Sequence, residues 1–367
     1  MKDKLMQRAI ELSLKGKGKT SPNPMVGAVI SKGGRIVGEG FHKAFGKAHA
    51  EVNAIKAAGE KAKGGALYVT LEPCCHQGKT PPCTKAVIKS GIKKVVVGIR
   101  DPNPLVSGKG VKELKSNGVQ VLVGLLEKEI KKVNESYIKY ITTGIPFVFI
   151  KVGMSLDGKI ATVKRESKWI TSEHSRKSVH KLREEVDAVM VGVGTLLKDN
   201  PNLTPRLSRR KKGPARIVVD SALRIPFEAN LMENLRYFRT IILTTESSDV
   251  KKRKKVEAAG ASVVVVPLKD GRVDLRAGVK ELGKLGITSV MLEGGGDLNF
   301  SALKEGVVDK VLYFIAPKII GGREAVSSVG GTGIDSLKDF FTVENASVSS
   351  VGPDFLIEGY LPATWRK

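Results

Sequence analysis

A chain of 367 residues in which 41% are hydrophobic can bury a sizeable core, and its length favours two domains over one. No stretch approaches eighteen consecutive apolar residues, and the first residues mix charges among their apolar positions, so we expect neither a membrane span nor a secretory leader. Three cysteines, two of them adjacent, cannot form an orderly disulfide framework. Together these features indicate a cytoplasmic enzyme.

The formal net charge of +25 is compatible with nucleic acid, membrane headgroups or small phosphorylated ligands. The densest basic runs, residues 209–212 and 251–255, contain no aromatic residues, and aromatics make up only 5% of the chain. Stacking platforms for single-stranded nucleic acid are therefore poor. We interpret both runs as solvated loop or helix faces and expect no nucleic-acid or membrane partner.

The first half of the chain alternates short apolar runs with helical patterns. Apolar residues at a helical period predict a first helix from about Lys4 to Lys15. Strands are predicted at 25–30, 66–71, 95–99 and 119–123, and helices at 50–58, 84–90 and 111–116, followed by one long charged helix at 126–140. This alternation is typical of an α/β layer with largely parallel strands. Because Thr143-Gly144-Ile145-Pro146 interrupts the pattern, we predict two domains, 1–145 and 146–367.

The second half has the pattern of a further α/β domain. After a strand at 146–152, strands are predicted at 188–193, 217–219, 240–243, 262–266, 289–292 and 311–315, with helices between them. The tail, residues 340–361, predicts two more strands around Ser350-Val351-Gly352-Pro353.

Donor groups that zinc prefers stand next to the ends of predicted elements. His49-Ala50-Glu51 opens a helix, Glu72-Pro73-Cys74-Cys75 ends a strand, and Cys83 lies nine positions after Cys74. Two thiolates and one imidazole leave one position of a tetrahedral zinc open, which is typical of a catalytic site. Spacing alone does not decide whether Cys74 or Cys75 is the ligand, because adjacent residues rarely both reach one ion.

Glu51 is not required as a ligand in this arrangement. Zinc lowers the pKa of a bound water from about 15.7 towards about 7. Glu51 is free to move a proton from that water to a ring nitrogen and then to departing ammonia, as the Glu of H-x-E does in zinc deaminases. The residues therefore predict hydrolysis of an exocyclic amine from a pyrimidine ring, with Glu51 as the catalytic proton shuttle.

Five stretches of the first half carry a family resemblance. They are Asn23-Pro24-Met25-Val26-Gly27, His49-Ala50-Glu51, Leu71-Glu72-Pro73-Cys74, Gly78-Lys79-Thr80-Pro81-Pro82-Cys83 and Arg100-Asp101-Pro102-Asn103-Pro104. They closely resemble the bifunctional deaminase/reductase family of riboflavin biosynthesis. Eight residues separate Cys74 from Cys83, as in that family, whereas nucleic-acid and nucleoside deaminases of the superfamily usually have two. In the family the first cysteine after Glu-Pro is the ligand, which selects Cys74; Cys75 stands where Ser or Asp is more usual.

The resemblance also implies which side chains hold the aminopyrimidine and its ribose phosphate. Asn and Asp can read the edge of a ring, and Lys offers a point charge to phosphate. The implied residues are Asn23, His42, Lys79, Asp101 and Asn103.

A glycine-rich run, Leu292-Glu293-Gly294-Gly295-Gly296-Asp297-Leu298-Asn299, follows an apolar strand and precedes a helix. Small residues there let backbone N–H groups approach a pyrophosphate at the helix N-terminus, although a plain tight turn fits the run equally well. The run is not G-x-G-x-x-G, so a standard dinucleotide fingerprint is absent.

Together with this run, residues 151–161, 167–171 and 191–201 resemble the reductase domain of the same family, so that the resemblance spans nearly the whole chain. It implies a cytidine-deaminase-like three-layer α/β/α domain followed by a dihydrofolate-reductase-like α/β domain that uses NADPH. The implied NADPH contacts are Gly153, Trp169, Thr195, Asp199, Ser221, Gly295, Gly296, Asp297, Leu298, Asn299, Phe300 and Ser301. The implied substrate contacts are Ser167, Arg183, Leu203, Arg206 and Glu293. Two departures affect loops: Arg165 stands where a turn glycine is usual, and Pro205 sits between Thr204 and Arg206.

The resemblance implies two reactions, one zinc ion per chain, a small phosphorylated pyrimidine as partner and a homo-oligomer. First, 2,5-diamino-6-(5-phosphoribosylamino)pyrimidin-4-one is deaminated. Then NADPH reduces the ribosyl group, giving 5-amino-6-(5-phosphoribitylamino)uracil; Lys151, Asp199 or a water donates the proton.

Two rival hypotheses fit part of the sequence. A nucleic-acid or nucleoside base deaminase with an appended nucleotide-binding domain suits the net charge, but the cysteine spacing, scarce aromatics and reductase motifs count against it. A non-catalytic module with a structural zinc is the other.

Overall fold

The computed structural model describes residues 2–78, 80–205 and 213–363. Its contacts divide the chain into two compact units, Met1–Thr143 and Gly144–Lys367. Within the described residues, no helix is long and apolar enough to cross a membrane.

The first unit is built on a five-stranded sheet with the order β2-β1-β3-β4-β5. β1 is antiparallel to both of its neighbours, whereas β3, β4 and β5 are parallel. The sheet is therefore mixed, where the sequence predicts largely parallel strands. Its strands are β1 (Gly27–Lys32), β2 (Arg35–Phe41), β3 (Ala66–Leu71), β4 (Lys94–Ile99) and β5 (Gln120–Val123). Its helices are α1 (Lys2–Leu14), α2 (Ala50–Ala58), α3 (Cys83–Lys89), α4 (Lys109–Ser116), α5 (Glu127–Val133) and α6 (Glu135–Thr143), with a short 3₁₀ helix at Gly59–Ala62.

β2 is the strand that the sequence pattern does not predict. Gly38 and Gly40 weaken its strand pattern, but the structure requires them. A Cβ at Gly40 would lie 2.4 Å from the carbonyl oxygen of Ala50, and one at Gly38 would lie 2.5 Å from that of Ala54. The two glycines thus allow α2 to lie directly against the sheet, which fixes the start of α2 beside the metal-site residues.

The prediction of a single long helix at 126–140 is wrong. The structure has two helices there, α5 and α6, which are separated at Asn134. Asn134 leaves the helical conformation and turns its amide onto the backbone of Met25. Its Oδ1 accepts from the Met25 N–H at 2.8 Å, and its Nδ2 donates to the Met25 carbonyl at 3.0 Å. Asn134 is buried, so these two bonds satisfy polar groups that water cannot reach.

The second unit contains a nine-stranded sheet with the order β11-β10-β9-β8-β14-β6-β15-β18-β17. The seven strands from β11 to β15 are parallel, and the last two are added antiparallel. The main strands are β6 (Phe147–Ser155), β8 (Ala188–Gly192), β9 (Ala215–Val219), β10 (Thr240–Thr244), β11 (Ser262–Val265), β14 (Ser289–Leu292), β15 (Lys310–Ala316), β17 (Glu344–Val351) and β18 (Asp354–Tyr360). The short strands are β7 (Lys159–Ala161), β12 (Leu268–Lys269), β13 (Arg272–Val273) and β16 (Val326–Ser327). The helices are α7 (Glu173–Glu185), α8 (Val193–Asp199), α9 (Val250–Ala258), α10 (Leu275–Lys284) and α11 (Gly296–Lys304), with 3₁₀ turns at Asn230–Met232 and Leu337–Asp339.

Both faces of this sheet are buried. Along β6, Phe147 and Phe149 belong to one hydrophobic cluster, while Val148 and Ile150 belong to another. Successive side chains of a strand point to opposite faces, so the two clusters are the two cores. The predicted α/β layer and the predicted terminal pair of strands are therefore confirmed.

The carboxyl ends of the parallel strands position the loops of this unit. β14 lies between β6 and β8 and is followed by the glycine-rich run that leads into α11. The chain after β8 leads directly into α8. Crevices at this edge of a parallel sheet are where α/β proteins bind ligands.

Candidate active sites

Three side chains in the first unit converge with the geometry of a metal site. His49 caps α2, Cys74 follows β3, and Cys83 opens α3. Their ligand atoms all lie within 4.8 Å of one another. The His49 Nδ1 is 3.6 Å from the Cys74 Sγ and 3.3 Å from the Cys83 Sγ.

The orientation of the His49 ring suits metal binding through Nδ1. Its other nitrogen, Nε2, lies 3.3 Å from the Thr80 hydroxyl. Metal-ligating histidines usually bond through their second ring nitrogen in this way, which fixes the ring and the tautomer. Thr80 was not predicted as a site residue, because its role depends on a tertiary contact between its hydroxyl and the His49 ring, which spacing does not reveal.

The two thiols have opposite proton affinities. A hydrogen bond with Cys83 is the main cause that lowers the pKa of Cys74 to about 4, and a bond with Cys74 is the main cause that raises the pKa of Cys83. One thiolate, one thiol and one imidazole therefore face a common point. Zinc displaces thiol protons and binds this N/S set tetrahedrally with one position open, so the residues fit the ion.

Cys75 lies outside the cluster. Among the described residues, the group whose ligand atoms could share a metal ion contains Cys74 and not Cys75. Burial raises the pKa of the Cys75 thiol, so it remains protonated near neutral pH. The chain after β3 thus brings Cys74, and not Cys75, next to His49 and Cys83.

Glu51 lies beside the thiols on the first turn of α2. Its carboxyl is 3% exposed and hydrogen-bonds with Cys83. Burial is the largest cause that raises the pKa of Glu51 to about 7. A carboxyl of this pKa can both accept and release a proton near neutral pH.

A pocket of about 340 Å³ opens over the cluster. Four of the five side chains implied to bind substrate line it, together with aromatic residues that the sequence does not single out. Lys79 lies outside the described residues. The predicted lining residues are Asn23, His42, Asp101 and Asn103, and the additional ones include Phe45, Tyr137 and Tyr140.

His42 is held in one orientation at the pocket wall. Its Nδ1 lies 3.2 Å from the Ala48 carbonyl, and its Nε2 lies 3.3 Å from the Asn23 Nδ2. Burial lowers the pKa of His42, which favours the neutral ring. The neutral tautomer that satisfies both contacts donates from Nδ1 to the Ala48 carbonyl and accepts at Nε2 from the Asn23 amide.

Asp101 is fixed from two sides. Its Oδ1 accepts from the Tyr137 hydroxyl at 2.8 Å and from the Asn103 N–H at 2.9 Å. Burial raises the pKa of Asp101, and these two bonds oppose the rise. Tyr137 comes from α6, far along the chain from the motif, so only the folded structure brings it here.

The second unit contains a larger cleft, of about 610 Å³. It is lined by eight of the residues implied to contact NADPH or substrate. Arg206, also implied, lies outside the described residues. The eight are Gly153, Ser167, Trp169, Arg183, Thr195, Asp199, Leu203 and Glu293.

A buried carboxylate between two cations lies at the base of this cleft. Arg183 donates to both oxygens of Glu293, at 2.7 and 2.9 Å, and the Lys151 Nζ lies 2.8 Å from Glu293 Oε2. Burial opposes ionisation of Glu293, but the charges of Lys151 and Arg183 outweigh it and hold its pKa well below the usual range. The bidentate geometry fixes the Arg183 fork.

Within the glycine-rich run, Glu293 lines this cleft, whereas Gly294 to Asn299 lie beyond its lining. A Cβ at Gly295 would lie 3.7 Å from the Thr195 hydroxyl, so the two loops adjoin. Asn299 and Phe300 are buried; Asn299 donates to the Ser328 carbonyl, and Phe300 packs against Phe341.

The remaining implied NADPH residues lie further along the same edge. Leu298 packs near Gly192. The Asp297 carboxylate accepts from the Gly331 N–H, and the Ser301 hydroxyl lies 3.4 Å from Arg272. Ser221 follows β9, and its hydroxyl accepts from the Val273 N–H at 3.1 Å. The structure thus places Gly296 to Ser301 on α11 and Ser221 in the loop after β9, and none of them is among the residues that line the described cleft.

The loop that carries Trp169 is tied to its surroundings at several points. Trp169 is 61% exposed, and the Arg176 guanidinium lies 4.6 Å from its ring centre. Lys318 donates to the Ile170 carbonyl at 2.8 Å. Arg165 adopts φ 66°, a conformation that usually requires glycine, so the turn keeps its glycine-like geometry despite the substitution.

Both units match known families. Residues 1–99 match the cytidine and deoxycytidylate deaminase zinc-binding region, and residues 146–357 match the RibD C-terminal domain. The riboflavin biosynthesis protein RibD of Aquifex aeolicus is 46% identical over 352 residues, covering 96% of this chain and 96% of that protein. RibD of Actinobacillus pleuropneumoniae is 45% identical over 353 residues, covering 96% and 93%.

Solved structures give the same result. RibD of Acinetobacter baumannii has a TM-score of 0.88 at 34% identity, with 99% of each chain covered. A Thermotoga maritima protein described as a diaminohydroxyphosphoribosylaminopyrimidine deaminase/5-amino-6-(5-phosphoribosylamino)uracil reductase has a TM-score of 0.83 at 39% identity, with 98% of this chain and 99% of that one covered.

The fold, together with the cluster of His49, Cys74 and Cys83, defines an enzyme that joins a zinc-binding deaminase region to a reductase region. The chain belongs to the RibD family and is a bifunctional deaminase and reductase of riboflavin biosynthesis. The cytidine-deaminase-like and dihydrofolate-reductase-like folds implied by the resemblance are confirmed.

Proposed function

We propose that residues 1–145 deaminate 2,5-diamino-6-(5-phosphoribosylamino)pyrimidin-4-one and that residues 146–367 then use NADPH to reduce the ribosyl group to ribityl. The product is 5-amino-6-(5-phosphoribitylamino)uracil. The observation that carries the first step is the convergence of His49, Cys74 and Cys83 beside the buried Glu51. A small phosphorylated substrate also suits a chain of net charge +25.

His49, Cys74 and Cys83 would hold the zinc, which would supply a nucleophilic water near neutral pH. Glu51 would accept one proton of the water and pass it to the ring nitrogen, and would then carry the remaining hydroxyl proton to the exocyclic amine, so that the amine leaves as ammonia and a carbonyl oxygen stays on the ring. Asn23 and Asp101 orient the ring through polar groups at the pocket wall. Lys79 supplies charge for the phosphate.

In the second step, NADPH supplies the hydride when bound. The first turn of α11 offers N–H groups to its pyrophosphate. Gly153, Trp169, Thr195 and Asp199 surround the nicotinamide end. Arg206 holds the substrate phosphate through its planar donor fork, and Arg183 does so through the guanidinium N–H groups that do not face Glu293, which fixes its orientation.

The decisive experiment incubates the purified protein with the diaminopyrimidine phosphate, with and without NADPH. We expect ammonia release in both reactions, and NADPH oxidation only after deamination. A parallel reaction with NADH tests the cofactor, and an oligonucleotide substrate tests the nucleic-acid alternative. Absence of ammonia release from the free pyrimidine would overturn the first step.

The cysteine variants test the ligand set. We expect Cys74→Ser to lose both bound zinc and deamination, because a ligand is removed, whereas Cys75→Ser keeps both at the level of the parent. Metal analysis of the purified variants and an ammonia assay measure this. Loss of zinc from the Cys75 variant would show that the ligand is misassigned.

A further inference from the structure

Glu72 is the ionisable residue of the Glu72-Pro73-Cys74 motif that the reactions proposed above do not use. It follows β3, lies two positions before Cys74 and is only 3% exposed. Both of its carboxylate oxygens accept from backbone N–H groups. Oε2 accepts from Asp101 at 3.2 Å and from Gly108 at 3.0 Å, and Oε1 accepts from Val111 at 2.9 Å.

These bonds join the turn that carries Cys74 to the segment that begins at Asp101. That segment contains Asp101 and Asn103, which line the pocket, and it continues into α4. The first turn of α4 lies against the turn after Glu72, since a Cβ at Gly110 would lie 2.1 Å from the Pro73 carbonyl oxygen. The Asp101 carboxylate is held in addition by Tyr137.

We propose that Glu72 is a positioning residue for deamination. It sets the distance between the metal-binding turn and the 101–103 segment, so that the ring held by that segment meets the metal-bound nucleophile. Its oxygens are occupied by backbone donors and are not offered to a ligand. This inference rests on the proposed deaminase activity and adds a residue to it.

A carboxylate is the group that this position requires. Three N–H donors converge on two oxygens, and a carboxylate offers lone pairs at both. In Glu72→Gln one end of the side chain becomes an NH₂ group, which faces a backbone N–H and cannot accept from it. In Glu72→Ala all three bonds are lost. Displacements of about 1 Å at such a distance can reduce a rate by about 100-fold.

The test compares the full-length parent with Glu72→Gln and Glu72→Ala. Glu39→Gln is the matched control, because Glu39 belongs to the same unit and pairs with Arg8 outside the pocket lining. For each protein we measure deaminase kcat and KM, bound zinc, hydrogen exchange at the amides of Gly108 and Val111, and reductase turnover with deaminated substrate.

We expect Glu72→Ala to lower the deaminase kcat by about tenfold or more and to accelerate exchange at both amides, with zinc content and reductase turnover unchanged. Glu72→Gln is expected to lie between the parent and Glu72→Ala in both properties. Glu39→Gln is expected to match the parent.

Three outcomes would overturn the proposal. One is faster exchange with unchanged deaminase KM and kcat. Another is loss of zinc, which would make Glu72 a support of the metal ligands. The third is protection of the two amides in Glu72→Gln equal to that in the parent with the kcat nevertheless lowered. Failure of the proposed function is recognised separately, because then the parent releases no ammonia.

Discussion

Glu51→Gln lowers the turnover of deamination by about 10²- to 10⁴-fold, the contribution expected of a general acid–base group. Gln has the shape of Glu but cannot accept a proton. The side chain is 3% exposed and lies against Cys83, so bulk water cannot take over the transfer. Because burial raises the pKa of Glu51 to about 7, the natural carboxyl exists in both protonation states at the working pH.

The measurement is ammonia release under saturating substrate. Zinc content is the first control, since the three ligands are unchanged by the substitution. The second control is built into the chain: the variant should oxidise NADPH at the parental rate when it is given deaminated substrate. Unchanged deamination in a variant that retains zinc would exclude Glu51 as the proton shuttle.

The metal site was predictable because its signals are local. His49 and Glu51 lie on the first turn of one helix, and Cys74 and Cys83 flank a short segment at the end of a strand. What spacing left open, the choice between Cys74 and Cys75, depends on the path of a turn. That path is set by tertiary contacts and not by a hydrophobic period.

The parts that sequence missed are those decided at long range. Tyr137 reaches the pocket because α6 folds back over Asp101. Asn134 breaks a helix whose charge pattern is continuous, because its amide pairs with Met25 on the far side of the unit. Neither contact leaves a periodic signal in the chain.

β2 was also missed because of a long-range contact. Gly38 and Gly40 weaken the strand pattern of its sequence, because glycine has a low intrinsic preference for strands. In the folded unit they are required for the close approach of α2. A local rule fails here because packing of the site's helix takes precedence over propensity.

In the second unit, the largest expected effect on stability comes from Glu293→Gln. The substitution leaves the charges of Lys151 and Arg183 without their carboxylate in a site where the Glu293 side chain is only 8% exposed. Removing one partner of a buried ion pair typically costs about 3–5 kcal/mol. We expect a loss of this size at pH 7 in urea unfolding, together with loss of NADPH oxidation, while the variant still deaminates.

The pH dependence of this stability loss distinguishes the contribution of the Glu293 charge from that of its side-chain packing. The pKa of Glu293 is lowered in the folded protein, so its ionised form contributes stability above the unfolded pKa of about 4.3, and this contribution is lost as pH falls below it. The stability difference between parent and Glu293→Gln should therefore be largest near neutral pH and shrink in acid. Glu281→Gln, which removes an exposed pair with Lys284, should match the parent at both pH values. A difference for Glu293→Gln that stays constant with pH would mean that the lost stability comes from side-chain packing, because the other carboxyl groups are present in both proteins and only the charge of Glu293 distinguishes them.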